Sequence, residues 1–328
     1  MLEVRSLKIL LTGGTGFFGK SILRSLFSGS RWQPAIESLS ILSRDPESFL
    51  DLNPEFRGLP GVRFYRGDIL RPETLPKSAH LTHVIHCAAD STQGARLQPL
   101  ERYVQIVEGT RHLLDFSKAV GVRRFLLASS GAVYGPQSPL VDQIEEHCLG
   151  MPDPLMPGNA YGVGKRAAEH LCALYQEAEG IECVIARCFA FVGADLPLNV
   201  HFAIGNFLQD AMAGRPICIR GDGSPYRSYL YQEDLAEWLF TLLSSGSPGS
   251  AYNLGSDRAV TLLELARLIR DLVAPGLEIR VEGEISDTMR NRYIPSIEKA
   301  RSELGLDVTV ELPEAIRKTF LELKNRET

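Results

Sequence analysis

Short apolar runs alternate with longer segments of helical periodicity over roughly the first 190 residues of the chain. The apolar runs that have the length of buried strands are Leu7–Leu11, Ser38–Leu42, Val62–Tyr65, His83–Cys87, Phe125–Ala128 and Cys183–Arg187. Helical periodicity runs from Phe17 to about Ser28, from Pro99 to Val120, and from near Tyr161 to the residue before Gly180. Strands separated by helices, with glycine or proline at their ends, predict right-handed crossovers. The pattern therefore predicts an α/β fold with a doubly wound parallel sheet.

The strand–helix rhythm weakens after about residue 190, where short strands and helices mix with more proline and glycine. The segment Thr261–Glu264 has the spacing of a capping box that opens a helix to about Leu272. A last helix is predicted over Pro313–Leu323, with proline in its first turn. We expect a larger domain at residues 1–189 and a smaller α/β subdomain at residues 190–328. They should form one compact unit, because no repeat or low-complexity linker separates them.

Charge and hydropathy narrow the classes of function that this fold could serve. The chain has 328 residues, a net charge of −5 and a pI near 5.9, which argues against a surface built for nucleic acid or anionic membrane. No segment reaches the roughly 18 apolar residues of a membrane span, and the short apolar run near the amino terminus lacks a signal-peptide cleavage site. We therefore expect a cytoplasmic protein.

Histidine and cysteine residues offer one candidate metal cluster, at His80, His83, His86 and Cys87. Most of it lies on a predicted strand, where residues three apart point to opposite faces, so the tetrahedral geometry of zinc is not expected there. The cysteines are scattered without a CxxC pair, which is typical of free thiols. We predict no metal site.

A glycine-rich turn, Thr12–Gly19, joins the first strand to the first helix. In this setting Gly13 permits a tight turn, Gly16 lets the backbone approach a pyrophosphate, and Gly19 lets the helix pack closely on the strand. The helix amino terminus then directs N–H groups and a positive dipole end at the phosphates. The motif predicts a Rossmann-type dinucleotide site. Its candidate residues are Gly13, Thr15, Gly16, Phe17, Phe18 and Gly19.

The glycine spacing resembles that of the short-chain dehydrogenase/reductase family, and three further segments match the family in order. They are Arg66–Ile69 after the third strand, His86–Ala89 after the fourth and Ser129–Gly135 after the fifth. The resemblance extends to about residue 305, as in the extended, NAD(P)-dependent nucleotide-sugar epimerase/dehydratase branch. It implies that Asp68 and Ile69 lie near the adenine. It also implies cofactor contacts for Cys87, Ala88, Ala89, Ser129, Lys165 and Phe189.

The tip of the second strand bears on the choice of cofactor, since an acidic residue there binds the ribose 2′-hydroxyl of NAD and an arginine suits the 2′-phosphate of NADP. The sequence at this point is Ser43-Arg44. It favours NADP. The alternative is an arginine that stacks on adenine, which is compatible with either cofactor.

Tyr161 and Lys165 are placed at the start of a helix, on one face, by their i, i+4 spacing. A free phenol has a pKa of about 10, and a nearby ammonium favours the phenolate and lowers that value. The family resemblance implies that Tyr161 is the acid–base group, that Lys165 also binds the nicotinamide ribose, and that Ser130 hydrogen-bonds the same substrate oxygen. Taken alone, a Tyr-x3-Lys pair would be an ordinary solvated helix face.

The segment Gly214–Asp234 resembles the region that binds the nucleoside diphosphate in nucleotide-sugar epimerases and dehydratases. The resemblance places Arg227 on the diphosphate, with Ser130 and Tyr161 on the sugar. The weaker candidates for substrate binding are His201, Asn206 and Arg292. A surface arginine and a buried structural histidine are the alternatives for Arg227 and His201.

Departures from the family pattern separate the candidate reactions. Gly131 and Ala132 stand where 4,6-dehydratases carry an Asp–Glu pair, so dehydration is disfavoured, and Ala190 and Ile106 replace family asparagines. The chain looks most similar to sugar-nucleotide reductases of the CDP-abequose synthase type, from polysaccharide biosynthesis. Reduction of a 4-keto sugar is favoured, and NAD-dependent 4-epimerisation is the alternative. A non-catalytic dinucleotide-binding regulator is the least favoured hypothesis, because the serine, tyrosine and lysine are all present.

The family resemblance also implies a homodimer. Two long helical segments, Leu97–Val120 and Tyr161–Glu179, correspond to the helices that pair the subunits in the family. The expected small-molecule partner is a nucleotide-sugar.

Overall fold

The computed structural model describes residues 6–76, 80–89, 97–198, 200, 202–283 and 291–327. The strands are β1 Leu7–Thr12, β2 Ile36–Ser43, β3 Val62–Arg66, β4 His83–His86, β5 Arg124–Ser130, β6 Glu182–Cys188, β7 Phe191–Val192, β8 Ile217–Ile219, β9 Tyr226–Arg227, β10 Leu230–Tyr231, β11 Ala251–Leu254, β12 Val260–Thr261, β13 Ile279–Val281 and β14 Arg292–Tyr293. The helices are α1 Phe17–Phe27, α2 Pro46–Leu52, α3 Pro99–Val120, α4 Ala160–Glu179, α5 Ala203–Met212, α6 Gln232–Ser245, α7 Leu262–Val273, α8 Glu298–Leu304 and α9 Leu312–Glu327.

Seven strands form the main sheet in the order β11-β6-β5-β4-β1-β2-β3. The pairings of β1 with β2, β1 with β4, β2 with β3 and β4 with β5 are all parallel. Strand order reverses between β1 and β4, which is the switch point where doubly wound sheets bind their ligands. The structure thus confirms the predicted Rossmann-type α/β fold.

The described chain divides into two compact units that interleave along the sequence. The first comprises residues up to 133, 151–187 and 236–252, and the second comprises 134–150, 188–235 and 253 onwards. The single boundary at 189/190 stays a prediction, and the chain crosses between the units at 187/188 and at four other places. The other crossings have no composition signal, because they follow from segments that return to a unit after a long excursion.

The first unit has its core where the strands meet α3 and α4. Leu10, Val84, Phe125 and Leu113 are fully buried there. α3 starts at Pro99 and ends before Gly121, whose φ of +74° permits the left-handed C-cap. These are the bounds that the apolar periodicity predicts.

The second unit contains small sheets, β12-β9-β14, β13-β8 and β10-β7, together with α5, α7, α8 and α9. Asn253 joins three of its segments, because its side chain accepts from the Tyr134 hydroxyl at 2.8 Å and donates to the carbonyls of Ile144 at 2.8 Å and Ser296 at 3.1 Å. Thr261 and Glu264 form the predicted capping box of α7. In the described part of the chain, no helix combines the length and hydropathy that a membrane crossing requires.

Candidate active site

The glycine turn between β1 and α1 has an accessible backbone at Gly16 and is tightly packed at Gly13 and Gly19. A Cβ at Gly13, where φ is +72°, would lie 2.6 Å from the carbonyl carbon of Cys87. A Cβ at Gly19 would lie 2.1 Å from the carbonyl oxygen of Gly14, so Gly19 lets α1 pack on the turn itself. Gly16 is exposed, and a Cβ there would meet only the Gly13 carbonyl oxygen, at 3.4 Å.

α1 begins at Phe17 with Gly16 as its N-cap, and its first turn carries no acidic residue. The positive end of the helix dipole is therefore not neutralised by the helix's own side chains. Thr15 and Phe18 are half-buried beside this terminus, and Phe17 is buried. The turn thus has the open backbone and the electrostatics that a pyrophosphate requires, so the residues present fit a dinucleotide.

A chain of hydrogen bonds, with a defined donor and acceptor at each step, holds the carboxyl ends of β1 and β4 together next to the glycine turn. His86 Nδ1 lies 2.8 Å from Thr12 Oγ1 and Nε2 lies 3.2 Å from Thr110 Oγ1. Because the Thr110 hydroxyl donates to the Ile106 carbonyl, it accepts from His86, whose Nδ1 then accepts from Thr12. Thr12 Oγ1 in turn accepts from the Ala88 amide at 3.3 Å. Burial lowers the pKa of His86 to about 3, so the ring is neutral.

The tip of β2 presents the residues predicted to face the adenosine ribose. Ser43 is buried and its hydroxyl accepts from the amide of Asp45, whereas Arg44 is exposed. The carboxylate of Asp45 caps α2 by accepting from the amide and the hydroxyl of Ser48, and these bonds lower its pKa. Arg66 stands opposite Ser43 and pairs with Glu47 at 2.6 Å.

Residues after β3 and β4 are held by local bonds. The Asp68 carboxylate accepts from the Leu70 amide at 2.9 Å, and Ile69 is buried against Gly109 of α3.

Burial raises the pKa of the Cys87 thiol to about 12, so Cys87 is not a nucleophile at neutral pH. Ala88 and Ala89 are half-buried at the end of β4.

The candidate catalytic residues meet where β5 ends and α4 begins. Ser130 is the last residue of β5, and its buried hydroxyl accepts from the amide of Ala132 at 3.1 Å. Lys165 is buried, donates to the Ala128 carbonyl at 2.7 Å, and lies 5.9 Å from the ring centre of Tyr161. α4 therefore contacts the end of β5 two residues before Ser130.

Gly162 brings α4 equally close on the other side of Ser130. A Cβ at Gly162 would lie 2.7 Å from the Ala132 carbonyl oxygen. A Cβ at Gly164, by contrast, would make ordinary contacts with Ile106 and Tyr103 of α3, at 3.4 and 3.5 Å. The glycines beside Tyr161 thus serve packing between protein segments, and only Gly162 sits where a methyl group would be excluded.

The candidate substrate residues Asn206, Arg227 and Arg292 lie in the second unit. Arg227 and Arg292 are on the paired strands β9 and β14, and the Arg292 guanidinium stacks over Tyr226 at 4.6 Å and pairs with Asp142 at 3.1 Å. Arg227 donates to the carbonyl of Tyr226 at 2.7 Å, and the Asn206 amide donates to the Val200 carbonyl at 2.9 Å. His201 lies outside the described residues. The last predicted cofactor residue, Phe189, packs against Tyr293 with ring centres 4.6 Å apart.

One polar cluster that the sequence motifs do not indicate lies next to the candidate catalytic residues. Ser129, which was predicted to contact the cofactor, donates its hydroxyl to Glu169 Oε1 at 2.5 Å, and Glu169 Oε2 accepts from Arg187 Nη2 at 2.8 Å. The available signal was the spacing of Tyr161, Lys165 and Glu169, which are four residues apart along one face of α4.

The histidine cluster has the properties of structural residues. Burial lowers the pKa of His83 to about 4, and His86 is committed to two threonines. Across the residues that the structure describes, no three histidine, cysteine or acidic side chains are grouped as metal ligands.

A doubly wound sheet, a glycine turn at its switch point and a Ser–Tyr–Lys group at the end of β5 define an enzyme of the extended short-chain dehydrogenase type. The model of the NAD dependent epimerase/dehydratase family matches residues 9–255, and the chain belongs to this family. The chain is 31% identical over 315 residues to UDP-glucuronic acid decarboxylase 1 of Danio rerio, with 95% of this chain and 72% of the relative covered.

Solved structures show the same fold. The UDP-glucose 4-epimerase of Thermotoga maritima superposes with a TM-score of 0.81 at 22% identity, over 97% of this chain and 99% of that one. RMD from Pseudomonas aeruginosa, solved with NADPH, gives a TM-score of 0.78 at 24% identity, over 97% and 99% of the two chains.

Proposed function

We propose that this enzyme transfers hydride at C4 of the sugar of a nucleotide-sugar, and that its reaction is the reduction of a 4-keto sugar. The observation that carries the proposal is the placement of Ser130, Tyr161 and Lys165 around the end of β5, with Gly131 and Ala132 following the serine. Reduction of a ketone needs one proton donor and one stabiliser of the oxygen. Elimination of water needs a further base and a further acid, which neither Gly131 nor Ala132 can provide.

Each residue has a defined task in this reaction. A bound nicotinamide supplies the hydride. Tyr161 would give its phenolic proton to the sugar oxygen as that oxygen gains the electron pair of the carbonyl π bond, while Ser130 hydrogen-bonds the same oxygen. Lys165, anchored on the Ala128 carbonyl, would hold the nicotinamide ribose and stabilise the phenolate that Tyr161 becomes.

The β2 tip supports NADPH as the reductant. Arg44 is exposed there, and Ser43 offers a hydroxyl beside it. The nearby acidic group, Asp45, is engaged in capping α2, so it is not available in this geometry as the ribose acceptor that NAD enzymes use.

Two other reactions begin with the reverse of this step, the oxidation of a hydroxyl at C4. In 4-epimerisation, Tyr161 would remove the hydroxyl proton and later return a proton to the oxygen, and reversible hydride transfer is the chemistry that a retained NAD would supply. Decarboxylation is favoured by the relative from Danio rerio, a UDP-glucuronic acid decarboxylase, which covers nearly the whole chain. It would also begin with oxidation at C4, because the resulting β-keto acid loses CO₂ as electrons flow into the C4 carbonyl.

Two measurements separate these reactions. Mass spectrometry of the dinucleotide released from freshly purified, denatured protein distinguishes an exchangeable NADP from a stoichiometric, retained NAD. Incubation with 4-keto sugar nucleotides plus NADPH, and separately with UDP-glucuronic acid, then distinguishes NADPH consumption from CO₂ release. Retained NAD together with CO₂ release or with a C4 epimer would overturn the reductase assignment.

A homodimer formed through α3 and α4 is part of the same proposal. These helices pack against each other and leave Leu100, Val104 and Leu174 exposed. Sedimentation equilibrium would test it, with Leu174→Glu expected to shift the mass toward 36.2 kDa.

A further inference from the structure

Two Arg–Glu ion pairs lie along strands β5 and β6, at opposite ends of the strands. At the amino ends, Arg124 of β5 pairs with Glu182 of β6 at 3.1 Å, and Glu182 also pairs at 3.4 Å with Arg123, which precedes β5. At the carboxyl ends, Arg187 of β6 pairs with Glu169 of α4 at 2.8 Å, and Glu169 also binds the hydroxyl of Ser129 on β5. Only the second pair is next to the catalytic residues.

The Glu169–Arg187 pair is not explained by stability alone. Both side chains are largely buried, with 13% and 15% of their surfaces exposed. The free energy cost of burying two charges is about as large as the gain from their attraction. A protein with apolar residues of similar volume at such positions is therefore often equally stable. The position of the pair, beside Ser129, indicates a second role.

Glu169 acts on the residue directly before the catalytic serine. Side chains of α4 form hydrogen bonds with successive residues of β5. Lys165 donates to the Ala128 carbonyl at 2.7 Å, and Glu169 accepts from the Ser129 hydroxyl at 2.5 Å. Arg187 fixes the carboxylate through Nε at 3.1 Å and Nη2 at 2.8 Å, a two-point contact that sets its orientation. The position of Ser130 relative to Tyr161 is thus set through its neighbours.

We propose that Glu169 is a positioning residue for Ser130, that it acts through the Ser129 hydroxyl, and that Arg187 holds its carboxylate in place. A displacement of about 1 Å at a reacting group can lower a rate about a hundredfold, so a loosened Ser130 should be visible in kcat. Cofactor affinity should not change in Glu169→Gln, because neither Glu169 nor Arg187 is among the residues predicted to contact the cofactor.

The variants Glu169→Gln and Ser129→Ala test the link in the full-length protein. Each should lower kcat about tenfold with KM unchanged, and the double variant should be no slower than Ser129→Ala, because both changes cut the same connection. Arg187→Lys keeps the charge but loses the two-point contact, so it should lower kcat by less than Glu169→Gln does. Glu182→Gln is the matched control, which should lower the thermal midpoint and leave kcat at the wild-type value.

A second readout is independent of the substrate, whereas the kinetic readout rests on the proposed function. Hydrogen exchange of peptides covering residues 125–134 should be faster in Ser129→Ala and in Glu169→Gln than in Glu182→Gln. If exchange is faster in Ser129→Ala and Glu169→Gln but the wild-type enzyme turns over no substrate, the proposed function is wrong and the positioning role is still supported.

Three outcomes would overturn the positioning role. They are wild-type kcat and exchange in Ser129→Ala, additive losses in the double variant, or a loss of kcat in Glu182→Gln equal to that in Glu169→Gln. Should Glu169→Gln fail to fold, Ser129→Ala decides alone, since it leaves the ion pair intact.

Discussion

Gly162 and Ala132 lie so close that a methyl group at Gly162 would sit 2.7 Å from the Ala132 carbonyl oxygen. This contact joins the first turn of α4 to the segment after Ser130. Glycine weakens a helix interior by about 1 kcal/mol relative to alanine, so its presence one residue after Tyr161 needs a reason. Close approach of the two segments supplies that reason.

Gly162→Ala should therefore lower kcat at least tenfold and also lower the unfolding midpoint, because either α4 or the serine segment must move. The matched control is Gly164→Ala, whose methyl group would make ordinary contacts at 3.4 Å or more. That variant should keep kcat and gain up to about 1 kcal/mol in the free energy of unfolding. Equal kinetic losses in both variants would show that helix rigidity, and not the Ala132 contact, matters.

Acid should destabilise the protein through its buried histidine. The folded pKa of His86 is about 3, below the ordinary value of 6.5. Between these pH values the unfolded chain binds a proton that the folded chain does not, so stability is lost as pH falls from about 6.5 and is fully present above it. The slope from this one group approaches about 1.4 kcal/mol per pH unit.

Urea unfolding measured from pH 7 to pH 4 checks this expectation. His86→Gln should lower stability at pH 7, because the Thr12–Thr110 bridge is disturbed, and should flatten the pH dependence. His147, with 83% of its side chain exposed, gives the control His147→Gln, which should leave the slope of the wild type unchanged. His83, whose pKa is also lowered by burial, should leave a residual slope in His86→Gln. A slope in that variant equal to that of the wild type would assign the acid sensitivity to other groups.

Arg44 should discriminate between the two dinucleotides. Arg44→Ala should weaken NADPH binding about tenfold, the loss expected when one charge-assisted phosphate contact is removed, and should leave the Kd for NADH nearly unchanged. Arg63, exposed on β3, provides the control Arg63→Ala. Fluorescence titration with each dinucleotide gives both constants, and an equal loss for NADH and NADPH would instead indicate adenine stacking.

The sequence was most informative where local chemistry decides the structure. Apolar periodicity predicts the bounds of α3, and Pro99 at its start and Gly121 at its end agree with them, since proline suits the first turn and glycine suits the left-handed C-cap. The Thr261–Glu264 capping box and the glycine turn of residues 12–19 were similarly readable, because each is a contact between near neighbours in sequence.

Contacts between distant segments could not be read in the same way. The Glu169–Arg187 pair depends on α4 lying beside the end of β6, and the His86 chain depends on the register of β1 with β4 and on α3. β11 joins the edge of the main sheet although it lies far along the chain from the other strands of that sheet. Such placements follow from tertiary packing, for which periodicity has no signal.

The central claim is that Tyr161 donates the proton and that C4 of the sugar accepts the hydride. Isotope transfer tests both parts together. The enzyme would be incubated with a 4-keto sugar nucleotide and NADPH deuterated at the transferable position, with the product analysed by mass spectrometry and NMR. The prediction is one deuterium at C4 per NADPH oxidised, and a rate at least a hundredfold lower in Tyr161→Phe. Product without deuterium at C4, or turnover at the wild-type rate in Tyr161→Phe, would contradict it.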